Sequence, residues 1–182
     1  MALDPLISVI TKLERLVKSR GFYLRLGEKA RDIVYKRAKA GGGVSSDTIP
    51  NPSPKKLAAL GPSYITFRRG VKLGSFGAPG RSNATLSGQM LDALTVEAKR
   101  FGFEVFIKDN SRSDIQLIPK RKSASPSNRS KSRNPRKSIP QNLTNAQVYQ
   151  FYREQRPFLG LTRDEQRIIV REIRRAIQLV LK

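Results

Sequence analysis

The sequence predicts an α+β fold: a small antiparallel or mixed β-sheet, an N-terminal helical region, a C-terminal helix packed on the sheet, and a long basic loop or arm. Three observations carry this expectation. Apolar residues recur at helical spacing near both ends of the chain; they alternate at period two on either side of Arg100-Phe101-Gly102; and residues 119–142 contain one apolar side chain of any size, Ile139. A single domain then comprises residues 1–118 and 143–182, with 119–142 as the inserted arm.

The first element is an amphipathic helix. Leu3, Leu6, Ile7, Ile10, Leu13, Leu16 and Val17 form its apolar face, and Lys12, Arg15 and Lys18 its basic one. Gly21 is expected to interrupt it. A second helix is expected from about Leu24 to Ala40, with Leu26, Ala30, Ile33 and Val34 inward and Gly41-Gly42-Gly43 as its stop. Turn chemistry in VSSDTIPNPSP predicts a loop over residues 44–54. PKKLAALGPSYITFRRG then reads as two short helical turns, with Pro62 suited to the start of the second. Residues 73–83 read as another loop, and TLSGQMLDAL as a short helix with Leu86, Met90, Leu91 and Leu94 on one face.

A β-hairpin follows. Val96 and Ala98 alternate with polar residues on one side of the turn, and Phe103, Val105 and Ile107 on the other. DIQLIP, residues 114–119, reads as a third strand. The arm, PKRKSASPSNRSKSRNPRKSIPQN, cannot bury enough apolar surface to offset the entropy of ordering it, so by itself it is expected to be disordered. NAQVYQFYRE beyond it reads as a short helix or extended piece.

Composition narrows the function classes. The 182 residues carry a formal charge of +22, with 36 basic and 14 acidic residues. The arm concentrates that charge in Lys120, Arg121, Lys122, Arg129, Lys131, Arg133, Arg136 and Lys137, with no acidic residue among them. Such a distribution suits DNA or an acidic protein partner. Without Cys or His the chain has no disulfides, no thiolate metal sites and no histidine base. The acidic residues are scattered singly, and neither GGGVSS nor GSFGAPG ends in the Gly-Lys-Ser/Thr of a phosphate loop. The chain is therefore expected to be non-enzymatic, with no cofactor. No apolar run reaches the roughly 20 residues needed to span a bilayer, so no membrane contact is expected. The N-terminus lacks the basic-then-apolar pattern of a signal peptide.

REQRPFLGLTRDEQ, residues 153–166, sets a short apolar plug between charged flanks. Thr162 and Glu165 fit a capping box that starts the terminal helix, while Asp164 and Glu165 suit the positive end of its dipole. The hydrophobic staple is missing, because Gln166 stands where a partner for Leu161 would be. Phe158 and Leu159 must therefore bury elsewhere, in their own domain or in a neighbour. The terminal helix carries Ile169, Ile173, Ala176, Ile177, Val180 and Leu181 as a stripe, widened by Ile168, Leu179 and Val170. The apolar arc spans roughly 200°, about twice what one buried face requires. It fits a helix touching two surfaces, one of them a neighbouring subunit, as well as one buried deeply in its own domain. Glu172 lies inside the arc and calls for an arginine partner. Arg156, Pro157, Phe158, Leu159, Leu161 and Glu172 are the candidate subunit-interface residues.

Three segments in this order resemble a known family. They are LAALGPSYITFRRG (57–70), NATLSGQMLDALTVE (83–97) and RPFLGLTRDEQRIIVREI (156–173). The chain resembles the tail-completion, or neck, proteins of tailed bacteriophages. Leu57, Leu60, Tyr64 and Arg68 match the family's first pattern, with Gly61 in the place of a serine. Leu86-Ser87-Gly88, Met90, Leu91, Ala93 and Leu94 match the second, starting one residue tighter. Arg156 to Leu161, Thr162 and Glu165 match the third almost throughout. The resemblance covers roughly residues 25–108 and 145–182. The arm departs from it, where a shorter link to the next strand is expected.

The resemblance implies a structural virion protein at the head–tail junction, assembled in the host bacterial cytoplasm as a six-fold or twelve-fold ring. It implies contacts with portal-proximal connector or adaptor proteins and with tail proteins, and DNA passing through the lumen. The alternative is a basic nucleic-acid-binding protein of ribosomal or DNA-binding type, for which the charge speaks but no binding-fold signature is found.

Overall fold

The computed structural model describes residues 3–58, 89–111, 144–153 and 157–181. The elements are α1 (Leu3–Lys18), α2 (Arg20–Lys39), β1 (Gly42–Val44), β2 (Pro54–Lys56), α3 (Gln89–Asp92), β3 (Leu94–Lys99), β4 (Gly102–Ile107), α4 (Asn145–Arg153) and α5 (Arg163–Leu181). The class is α+β, with two small antiparallel two-stranded sheets and a C-terminal helix. The predicted third strand at 114–119, the basic arm, the second helical piece and the loop at 73–83 lie outside the described residues.

α2 is the central element. Phe22, Leu26, Ala30, Val34 and Ala38 recur every fourth residue and are all buried. This stripe packs on the β3–β4 hairpin and on α5. Gly27 permits the close approach: a Cβ there would collide with Val96 Cγ1 and lie 3.2 Å from the Phe103 side chain. The hairpin register pairs Leu94 with Ile107, Val96 with Val105 and Ala98 with Phe103, so the alternating residues share one face, as expected. β3 begins at Leu94, which extends the hairpin two residues beyond the first alternating valine.

Two apolar clusters meet across α2. One gathers Phe22, Leu26, Ala30 and Ile169, with Leu16, Ile173 and Ala176 packed against them. The other gathers Val34, Ala38, Leu57, Met90, Leu91, Leu94, Ile107, Tyr149 and Phe158. Val105 and Leu161 touch both.

Three boundaries differ from expectation. Gly21 does not break the helical region; the break falls at Ser19, whose Oγ accepts the Phe22 N–H at 3.3 Å as the N-cap of α2. A glycine is tolerated inside a helix at modest cost, whereas a capping serine offers the orphan N–H groups an acceptor. The stop at Gly41 is as expected, and that residue takes φ 86°. Pro54–Lys56, expected as helical, is a strand paired with Gly42–Val44. All three of its residues are exposed, so it has no apolar face to support a helix. The loop predicted over 44–54 closes this pair and begins one residue later.

Candidate functional site

The apolar plug docks inside its own domain. Phe158 is 0% exposed and packs edge-on against Tyr149, with ring centroids 4.9 Å apart. Pro157 is buried, and Leu159 and Leu161 are half-buried against the two clusters. The expectation that Phe158 serves a subunit interface is corrected here, because a side chain without accessible surface presents nothing to a neighbour. Arg156 lies outside the described residues.

The segment works as a strap. The Val44 N–H donates to Pro157 O at 2.9 Å, tying it to β1. A Cβ on Gly43 would sit 2.7 Å from that oxygen, and one on Gly160 would sit 2.9 Å from Pro52 Cγ. Arg37, near the end of α2, clamps the other side. One terminal nitrogen donates to Phe158 O at 2.5 Å and to Gly160 O at 2.6 Å, and the other pairs with Glu165. The Arg37 and Glu165 side chains are only 12% and 15% exposed. Glu165 also accepts the Thr162 N–H at 2.8 Å, and its own N–H points to Thr162 Oγ1 at 3.5 Å, which realises the predicted capping box. One carboxylate thus starts α5 and holds that start against α2. Arg37 Nε is buried without an acceptor, so the guanidinium is held by its two terminal nitrogens.

A second polar contact stands behind Phe158. The Tyr149 hydroxyl donates to Asp47 Oδ2, and Asp47 also meets Arg153 at 3.5 Å. Burial first, and the Asp47 carboxylate second, push the Tyr149 phenol well above its ordinary value of 10.0; the backbone N–H groups of Leu159 and Phe158 act in the opposite direction. Because the folded value is raised, this group contributes stability fully below about pH 10 and loses it as pH rises toward the folded value. Tyr149→Phe should remove that dependence. In urea titrations stepped from about pH 9 to pH 11, the variant's midpoint should fall less steeply than the wild type's; equal slopes would show that Tyr149 does not ionise on unfolding.

Glu172 is half-buried and pairs with Arg175 one turn on at 3.3 Å. The expected arginine partner is present, although an exposed pair of this kind adds little stability. All eight candidate residues of the basic arm, Lys120 through Lys137, lie outside the described residues.

What remains open to a partner is the outer helical face. α1 rests against α5, and Leu16, Ile169, Ile173 and Ala176 are covered there. Leu6, Ile7, Ile10 and Val17 on α1 stay exposed, as do Val170, Ile177, Leu179 and Leu181 on α5, with Leu179 at 75%. Among the described residues the middle of the α5 arc, Ile169, Ile173 and Ala176, is covered, and both edges stay exposed, Leu179 on one and Val170, Ile177 and Leu181 on the other. Among the described residues no helix is long and apolar enough to cross a membrane, and no group of three or more Asp or Glu is placed to hold a metal ion.

Arg37, Asp47 and Tyr149 were not singled out from the sequence. Arg37 is one basic residue among many, and only the fold brings it 128 positions along the chain to Glu165. No family model, no curated protein and no solved structure matches this chain.

Proposed function

We propose that this chain is a structural virion protein of a tailed phage that assembles into a ring at the head–tail junction. The observation that carries the reading is the set of exposed apolar side chains on α1 and along the edges of the α5 stripe. Eight large aliphatic side chains on two touching helices stay in water in the single chain. An exposed apolar surface of this kind marks an interaction site. The three ordered sequence motifs supply the family to which the reading is tied.

In this account the strap at Pro157–Leu161 positions the docking helix and does not itself dock. It fixes where α5 leaves the body, and α5 carries half of the apolar face. A closed ring needs two complementary patches per subunit, and the α1–α5 face supplies one of them. The partners are further copies of the chain in a six-fold or twelve-fold ring, and the connector and tail proteins above and below it. The basic arm at 119–142 would lie on DNA in the lumen or on an acidic neighbouring ring.

The face can be tested without disturbing the core. Val170→Asp with Leu181→Asp alters two exposed positions on the same side of α5. The double variant should keep the wild-type circular dichroism and unfolding midpoint while its particles, measured by mass photometry, drop to single subunits. Wild-type particle masses in the double variant would remove this face from the interface.

A further inference from the structure

A separate feature lies at the opposite pole of α2. The β3–β4 turn, Arg100-Phe101, projects beside the α1–α2 corner, and together they line a cleft formed by Lys18, Arg20, Ala98, Lys99, Arg100 and Phe101. Phe101 is 64% exposed. The Arg100 guanidinium lies 5.0 Å from its ring centroid. An aromatic side chain held at a turn tip gains nothing from the core, and period-two alternation does not call for it there.

The cations around it divide into two kinds. Lys99 is engaged by Glu97 at 2.6 Å and Glu104 at 3.4 Å, and Lys18 by Glu14 at 3.4 Å. Arg20 and Arg100 have no carboxylate partner among the described residues. Arg20 also opens the 20-residue helix α2, whose first turn holds no acidic residue, so the positive end of its dipole adds to the cleft. Two guanidinium groups without a carboxylate partner beside an exposed aromatic ring match the elements of a single-strand platform. Guanidinium groups take phosphates in a fork, and a bare aromatic face stacks on a base.

We propose that this cleft is a subsite for single-stranded nucleic acid, in which Phe101 stacks on an unpaired base and Arg20 and Arg100 hold the flanking phosphates. Duplex DNA offers no free base face to the ring, and an acidic peptide offers charge without a stacking surface. The proposal does not rest on the ring reading, since none of the residues lining the cleft belongs to the exposed apolar set of α1 and α5.

The test must separate stacking from the general attraction of a +22 chain for any polyanion. Fluorescence anisotropy of the full chain is compared on two labelled probes of equal length and charge, an oligothymidylate and an abasic strand. The wild type should prefer the oligothymidylate by about tenfold, in line with the stacking of one base on an aromatic ring. Phe101→Ala should bring that ratio close to one without changing affinity for the abasic strand, and Phe101→Tyr should keep the preference. Arg20→Gln with Arg100→Gln should weaken both probes alike and flatten the salt dependence. Equal wild-type affinity for the two probes, a preference that survives Phe101→Ala, or a duplex whose binding falls as much as the oligothymidylate's on Phe101→Ala would each overturn the proposal.

Discussion

Phe158→Ala is expected to destabilise the isolated chain by about 3–5 kcal/mol, the range for removing a fully buried aromatic ring. The ring has no exposed surface, faces Tyr149 edge-on, and sits where β1, α2 and the strap converge. Domains of this size are typically stable by only about 5–15 kcal/mol, so the variant should lie near the edge of folding. Phe158→Leu keeps much of the volume and should cost markedly less. Urea denaturation followed by circular dichroism measures both. A plug seated in another subunit would leave the midpoint of a dilute single chain unchanged, so an unshifted midpoint for Phe158→Ala would contradict the placement described above.

Arg37→Met is the second large effect, at about 2–4 kcal/mol. The lower end of the range for breaking a buried pair applies because both side chains retain some solvent contact. The substitution keeps most of the aliphatic stem but strands a half-buried Glu165 carboxylate and leaves Phe158 O and Gly160 O without their donor. Arg37→Lys should recover only part of the loss, because an ammonium cannot fork across three acceptors on the strap and helix start. Glu165→Gln is milder, since its amide oxygen still accepts the Thr162 N–H. The double variant Arg37→Met/Glu165→Gln should lose less than the sum of the two single variants, because the second change removes the charge that the first left uncompensated. Additive losses in urea titrations would show that the two residues are not coupled.

Much of the local structure was legible from short-range rules. The hairpin followed from alternation, with its register set by Val96, Ala98, Phe103, Val105 and Ile107. The start of α5 followed from Thr162 and Glu165. The same rule was available at α4, where Thr144 and Gln147 exchange reciprocal hydrogen bonds at 3.0 and 3.3 Å, a second capping box in the sequence pattern Thr-x-x-Gln. The apolar residues that follow it are few, so the pattern stands out less there.

What local rules could not supply were the long-range pairings. The β1–β2 strands are three residues each and β2 is wholly exposed, so their pairing has no apolar alternation to announce it. Nor does any periodicity distinguish Arg37 from the other basic residues of α2, since its role depends on a strap that arrives more than a hundred residues later. The plug was identified as needing a home, and the home is set by tertiary packing. The arc of α5 is the converse case: its width fits either two contacting surfaces or deep burial, and among the described residues both of its edges stay exposed.

The central claim is that the uncovered α1–α5 face closes a ring of identical subunits. Negative-stain imaging of the purified wild-type chain, with particle mass measured on the same sample, tests it most directly. The account predicts annular particles whose mass is a multiple of 20.4 kDa corresponding to a closed ring, formed alone or on addition of a portal-proximal partner. A chain that stays at 20.4 kDa across the accessible concentration range, with and without that partner, would contradict it.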